Sequence, residues 1–180
     1  MNNVMIDLET LSTKPNAAIV SIGAVFFDPE TGELGDTYYQ AIDIETYSEC
    51  GGFDIDGGTL KWWMKQSEEA RAVFADKMQC DLQPVLRGFH AFLESQGSLA
   101  DLKVWGNGAS FDNVILANAY QSTGWATPWK FWNDRCYRTV KALNPQVPFT
   151  REGTYHNALD DAISQAKHLC QIFESLRGRA

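Results

Sequence analysis

Apolar positions in the first quarter of the chain come in short blocks, and those in the remainder recur at helical spacing. Val4–Leu8 reads as a short apolar strand and Ala17–Asp28 (A-A-I-V-S-I-G-A-V-F-F-D) as a second. D-P-E-T-G at Asp28–Gly32 is built of turn-forming residues. Asp36–Ile44 alternates and is rich in Tyr and Ile, which predicts a third strand and an antiparallel meander. Glu49–Gly58 is Gly-rich and acidic and reads as a loop. Thr59 and Ser67 are the expected N-caps of two short helices, with S-E-E placing acids in the first turn of the latter. Leu82, Val85, Leu86, Phe89, Phe92 and Leu93 give Asp81–Ser95 a helical period. Leu102–Trp105 is a fourth strand ended by G-N-G, and Ser110 is expected to cap a helix through Tyr120. Pro128–Trp132 reads as a short strand, and Asp134 as the cap of a helix reaching Leu143 before Pro145 and Pro148. Asn157 opens a long last helix to Leu176. Strands first, then strands alternating with helices, predict a mixed sheet with helices packed on it.

The chain has 180 residues, 44% hydrophobic and 21% charged. It can bury a sizeable core, and disorder is excluded. One domain over residues 1–180 is expected. The longest apolar run, from Ala17 to Phe27, is too short to span a bilayer, and the N-terminus has no basic region before an apolar core. The expectation is a cytoplasmic protein with no membrane partner. Cys50, Cys80, Cys136 and Cys170 are widely spaced and form no C-x-x-C pair. Reduced, mostly buried thiols are expected rather than a zinc site. The net charge of −8 argues against a broad basic face for duplex binding. It is uneven: residues 1–60 hold eleven acids and one base, and residues 127–180 hold five acids and eight bases.

Asp7 and Glu9 stand at i and i+2 on the first strand and so share one face, about 7 Å apart along the chain. Two carboxylates there either hold a cation between them or mark a strand leaving the core for solvent. Asp112 follows the fourth strand through G-N-G-A-S-F, where an acid also suits the first turn of a helix. His156 and the pair Asp160–Asp161 open the last helix. Its apolar stripe is read as Leu159, Ile163, Ala166, Cys170 and Phe173, with both acids off it, so periodicity does not say which acid faces a cleft.

Together these segments resemble the DEDDh subgroup of the DnaQ-like 3′→5′ exonucleases, within it the RNase T-like branch. The resemblance rests on D-L-E-T at Asp7–Thr10 followed by P-N-A-A-I-V-S-I-G-A-V from Pro15, on W-G-N-G-A-S-F-D-N ending at Asp112-Asn113, and on H-N-A-L-D-D-A from His156 to Ala162. It implies an α/β, RNase H-like fold: a five-stranded mixed sheet, strands one to three antiparallel, flanked by helices. It implies Asp7, Glu9, Asp112 and Asp161 as ligands of two divalent ions. It implies His156 as general base, with Asp160 a non-ligand neighbour. Oxygen-only ligands suit Mg²⁺ or Mn²⁺. Replacing Asp112 is then expected to relieve repulsion in the metal-free chain.

Pro128–Glu152 interleaves Lys130, Arg135, Arg138, Lys141 and Arg151 with Trp129, Phe131, Trp132, Tyr137 and Phe149. That mixture suits a single strand, guanidinium on phosphate and ring on base, with Arg135, Arg138, Lys141 and Trp129 as the contacts. The same pattern also fits core aromatics beneath a solvated charged face. Trp62-Trp63 is open in the same way, as helix packing or base-stacking wedge. His90 and His168 lack acidic partners at ligand spacing and read as structural or exposed. The partners expected are single-stranded DNA or RNA 3′ ends, with a second copy of the chain as an open alternative. A silent nucleic-acid-binding scaffold and a hydrolase of short oligonucleotides are the competing readings.

Overall fold

The structure, a computed structural model, describes residues 1–49, 51–108 and 110–178. Cys50, and Ala109 of the second motif, lie outside the described residues. Five strands, β1 (Asn3–Thr10), β2 (Ile19–Phe27), β3 (Leu34–Ala41), β4 (Lys103–Gly106) and β5 (Asp134–Cys136), form one sheet in the order β3-β2-β1-β4-β5. β1, β2 and β3 are antiparallel neighbours, while β4 and β5 add in parallel. This is the mixed α/β sheet expected. Among the described residues seven α-helices surround it: α1 (Thr46–Glu49), α2 (Gly57–Trp63), α3 (Glu68–Arg71), α4 (Leu82–Glu94), α5 (Asp112–Ser122), α6 (Tyr137–Leu143) and α7 (Ala158–Arg177).

Alternation along β1 assigns its residues to two faces. Val4, Ile6 and Leu8 join the larger core, under α4 and α5, with Ile22, Phe26, Leu86, Phe89, Leu116 and Tyr120. Met5 joins the smaller core beneath α7, with Val25, Phe27, Trp105, Ala162, Ala166 and Leu169. Asp7 and Glu9 continue the row begun by Met5 and are buried. The strand does not leave the core for solvent.

Several local expectations shift. The cap of α2 is Asp56, whose carboxylate accepts from the Thr59 backbone N–H at 2.7 Å, so Thr59 lies inside the helix. Ser67 does cap α3. Pro128–Trp132 is not a strand: the pairing with β4 starts at Asp134. Asp134 is therefore a strand residue, and its carboxylate accepts from Trp129 Nε1 and Asn113 Nδ2 instead of capping α6. The buried stripe of α7 runs through Ala158, Asp161, Ala162, Gln165, Leu169 and Ile172. Leu159, Ile163 and Phe173 only flank it. Among the described residues the thiols of Cys80, Cys136 and Cys170 are free, but only Cys170 is buried; Cys136 is half-buried and Cys80 exposed. Among the described residues no helix is long and apolar enough to cross a membrane.

Candidate active site

The cleft opens where the apolar row of β1 ends. A cavity of about 560 Å³ is lined by Asp7, Glu9, Arg151, His156, Asp161 and Gln165, with Trp62, Thr59 and Phe111 on other walls. Segment 54–63 supplies one wall. It is tied to the loop after β1 by Asp54, which accepts from Ser12 Oγ at 2.5 Å and pairs with Lys14 at 2.7 Å.

Backbone contact positions α7. Gly23 pairs with Asp7 across β1 and β2. A Cβ at Gly23 would lie 2.1 Å from the carbonyl carbon of Ala158, so only glycine lets the start of α7 rest on the sheet. Asn157 caps the helix by accepting from the N–H groups of Leu159 and Asp160 at 3.1 Å. Asp161 is then one turn in and faces the sheet. Asp160 turns to the loop instead, where it accepts from the Thr154 N–H at 2.7 Å. The packing thus decides between the two neighbouring acids.

Asp112 is placed differently. A Cβ at Gly106 would come within 2.3 Å of Asn113 Oδ1, so the glycine lets the end of β4 abut the start of α5. Asp112 is 2% exposed and sits behind the cleft wall. It accepts from the backbone N–H of Asn107 at 2.7 Å and of Leu8 at 3.2 Å. Those bonds overturn the expectation that removing Asp112 simply relieves repulsion, because the buried Leu8 N–H and the partly buried Asn107 N–H depend on it.

The four acids share one electrostatic condition. Burial, and then Asp112, Glu9 and Asp161, push Asp7 well above the ordinary carboxyl value. Burial, then Asp161 and Asp112, pushes Glu9 up to about 8. Burial alone raises Asp112 to about 6, against the two backbone donors. Asp161 is raised by burial against the opposing effect of Arg151. Among the described residues, one potential ligand atom each of Glu9, His156 and Asp161 lie within 4.8 Å of one another. Asp7 lines the same cleft, and Gln165 Nε2 donates to its Oδ1 at 2.7 Å. The donor set is carboxylate oxygen with one imidazole.

His156 has φ of +60°, a left-handed conformation costing about 1–3 kcal/mol that only surrounding contacts maintain. Trp62 meets its ring edge-on at 4.8 Å and Trp63 at 6.4 Å. Desolvation holds the imidazole below the ordinary histidine value, against the pull of Asp161. The Trp62-Trp63 ambiguity splits between its members. Trp63 is buried and donates from Nε1 to Thr10 O at 2.9 Å, whereas Trp62 is 41% exposed in the cleft wall.

The four strand-grip residues are not brought together. Trp129 is 3% exposed and meets Tyr120 edge-on, so its ring is core and cannot stack on a base. Arg135 donates to the carbonyls of Trp132 and Asp134 at the sheet edge. Lys141 lies 4.3 Å over the Phe149 ring. Arg138 alone approaches the acids, beside Gly108 and near enough to Asp112 to favour its charged form. His168 is structural, as expected, with Nδ1 2.7 Å from Tyr137 Oη and Nε2 3.0 Å from Val147 O. Sequence reasoning missed Gln165. Its position four residues after Asp161 was the available signal, since that spacing shares one helix face.

The chain is similar to several known proteins. The family described as 3′-5′ exoribonuclease Rv2179c-like domain matches residues 2–173. An exodeoxyribonuclease of Enterobacteria phage T4 is 27% identical over 173 residues, covering 79% of this chain and 72% of that protein. The nuclease domain of 3′hExo, a DEDDh family member bound to rAMP, superposes with a TM-score of 0.65 at 13% identity, covering 96% of this chain and 92% of its own. Pop2p of S. pombe, in a form with Mg²⁺ and Mn²⁺ bound, gives 0.61 at 13% identity, covering 99% and 83%.

Proposed function

The chain belongs to the 3′-5′ exoribonuclease Rv2179c-like domain family and is a 3′→5′ exonuclease acting on nucleic acid, and from that premise we propose that it trims single-stranded 3′ ends by a two-metal mechanism. The observation that carries the reading is the buried carboxylate cluster with His156 at its mouth. Four acids raised by burial, Asp7 and Glu9 also by neighbouring carboxylates, favour any arrangement that returns them to the charged form, and hard divalent cations do so.

Asp7, Glu9, Asp112 and Asp161 are the residues that would hold two Mg²⁺ or Mn²⁺ ions. Such ions would supply Lewis-acid stabilisation of the charge that develops on a phosphodiester under attack. The remaining work falls to the chain. Gln165 fixes Asp7, and the Leu8 and Asn107 backbone fixes Asp112. His156, neutral near pH 7 through its burial, accepts the proton of the attacking water at an imidazole nitrogen. Arg138 contacts a strand phosphate at the Asp112 side. A nucleoside monophosphate then leaves from the 3′ end.

The test is digestion of 3′-labelled single-stranded RNA, single-stranded DNA and duplex DNA, with Mg²⁺ and with EDTA. Loss of label from single strands only with Mg²⁺ is expected, and activity undiminished in EDTA rejects the metal reading. The two polymers decide substrate choice. His156→Ala is expected to lower turnover on the order of 10²- to 10⁴-fold with metal binding little changed. Near-normal turnover removes His156 as the base.

A further inference from the structure

Among the described residues Arg151 is the one lysine or arginine that lines the carboxylate cleft. Its Nη1 pairs with Asp161 Oδ1. The pair is not a surface accident, because the backbone that carries Arg151 is fastened to α7. The next residue, Glu152, donates its N–H to Ser164 Oγ at 3.0 Å, accepts from that hydroxyl at 3.3 Å, and pairs with Lys167. The side chain itself is half-buried and, while paired with Asp161, also has its guanidinium carbon 4.5 Å over the exposed Tyr155 ring, a contact that does not depend on Asp161.

We propose that Arg151 is the resident counter-cation of the cleft, that it competes with divalent cations for Asp161, and that on displacement it contacts substrate phosphate. The proposal rests on the cation reading above. A guanidinium and a divalent ion on one carboxylate repel at close range in a partly dry site, so each weakens the other's hold. With the acids neutralised by metal, the remaining anion in reach is phosphate, and arginine matches its oxygens in a bidentate manner. Tyr155 keeps the displaced guanidinium at the rim, in cation–π contact, instead of releasing it to solvent. The arrangement keeps the acid cluster from standing unpaired before metal arrives.

The experiment is calorimetric titration of Mn²⁺ into the full chain without substrate. Arg151→Gln is expected to tighten Mn²⁺ binding by roughly tenfold, the scale of one close charge in a partly buried site. Arg177→Gln, which removes a positive charge at the far end of α7 where it pairs with Glu30, is expected to leave it within about twofold. In steady state at saturating Mn²⁺, Arg151→Gln is expected to raise KM for an oligonucleotide with kcat less changed. Should Arg151→Gln lose its fold, Arg151→Lys carries the test, with a smaller shift in the same direction because lysine lacks the fork. Unchanged or weaker Mn²⁺ binding overturns the competition, as does equal tightening by both variants. An unchanged KM overturns the phosphate contact. If the unaltered chain binds no Mn²⁺, the cation reading fails as well, which separates that failure from this one.

Discussion

The interface between α7 and the sheet carries two regions of opposite character. Towards its C-terminal part, Ala166, Leu169 and Cys170 pack on Met5, Val25 and Phe27. One to two turns earlier, Asp161 and Gln165 face Asp7 and Glu9. The same two elements hold both regions, so the acid end does not choose its own geometry. The apolar end gains free energy by leaving water. The acid end loses it, as the raised carboxyl values of Asp7 and Glu9 record. The difference teaches that the cluster is held against its own repulsion by packing elsewhere, with partial relief from Arg151.

The comparison breaks most sharply at Asp7. Asp7→Asn keeps an acceptor for Gln165 but removes a charge, so turnover is expected to fall on the order of 10³-fold or more. The metal-free melting temperature should stay level or rise. Asp112→Ala should lose comparable activity and also about 1–3 kcal/mol of stability, because the buried Leu8 N–H and the partly buried Asn107 N–H lose their acceptor. Single-turnover digestion and thermal unfolding in EDTA check both. A metal-free Asp7→Asn that melts well below the unaltered chain contradicts the account of stored repulsion.

The apolar end should behave in reverse. Leu169→Ala is expected to cost about 2–5 kcal/mol with activity per folded molecule retained. Urea unfolding together with specific activity at low temperature decides it. A large loss of turnover in fully folded Leu169→Ala would mean that the two regions are coupled more tightly than packing requires.

Gly23→Ala tests the joint between them. The added Cβ meets the backbone of Ala158, and overpacking of that kind costs about 1–3 kcal/mol. Because the shift moves Asp161 relative to Asp7, activity should fall more than stability does. Equal specific activity in folded Gly23→Ala would show that α7 tolerates displacement at the site.

The smallest effect is pH dependence of the metal-free chain. Glu9 is raised from 4.5 to about 8, so between those values the folded state binds more protons than the unfolded one. Stability contributed by Glu9 is therefore present below about 4.5 and lost as pH rises through about 8. His168, depressed by burial, acts in the opposite sense at lower pH: its contribution is present above 6.5 and is lost as pH falls through its folded value. The difference in melting temperature between the unaltered chain and Glu9→Gln isolates Glu9, and a change of a few °C from pH 5 to 8 in EDTA is expected. Mn²⁺ should flatten it.

The sequence by itself determined the first four strands and the long helices, but not the edge strand β5, which pairs from Asp134. Strand alternation placed Asp7 and Glu9 on one face, because that period is written in neighbouring residues, and it was the resemblance of the three motifs to the exonuclease family that singled out Asp112, His156 and Asp161. Tertiary structure decided what depends on contacts between distant segments. Apolar spacing on α7 put Asp161 off the buried stripe, yet the glycine contact at Gly23 rotates the helix so that Asp161 and Gln165 are on it and Asp160 is not. Trp129 and Trp62 carry the same local signal of aromatics near basic residues, but one fills the core and the other walls the cleft. Arg151 was legible only as one base among five, since its partner stands ten residues on and is met only once the loop folds back along the helix. Burial is a property of the whole packed chain, and the pattern along it states only which residues are able to be buried.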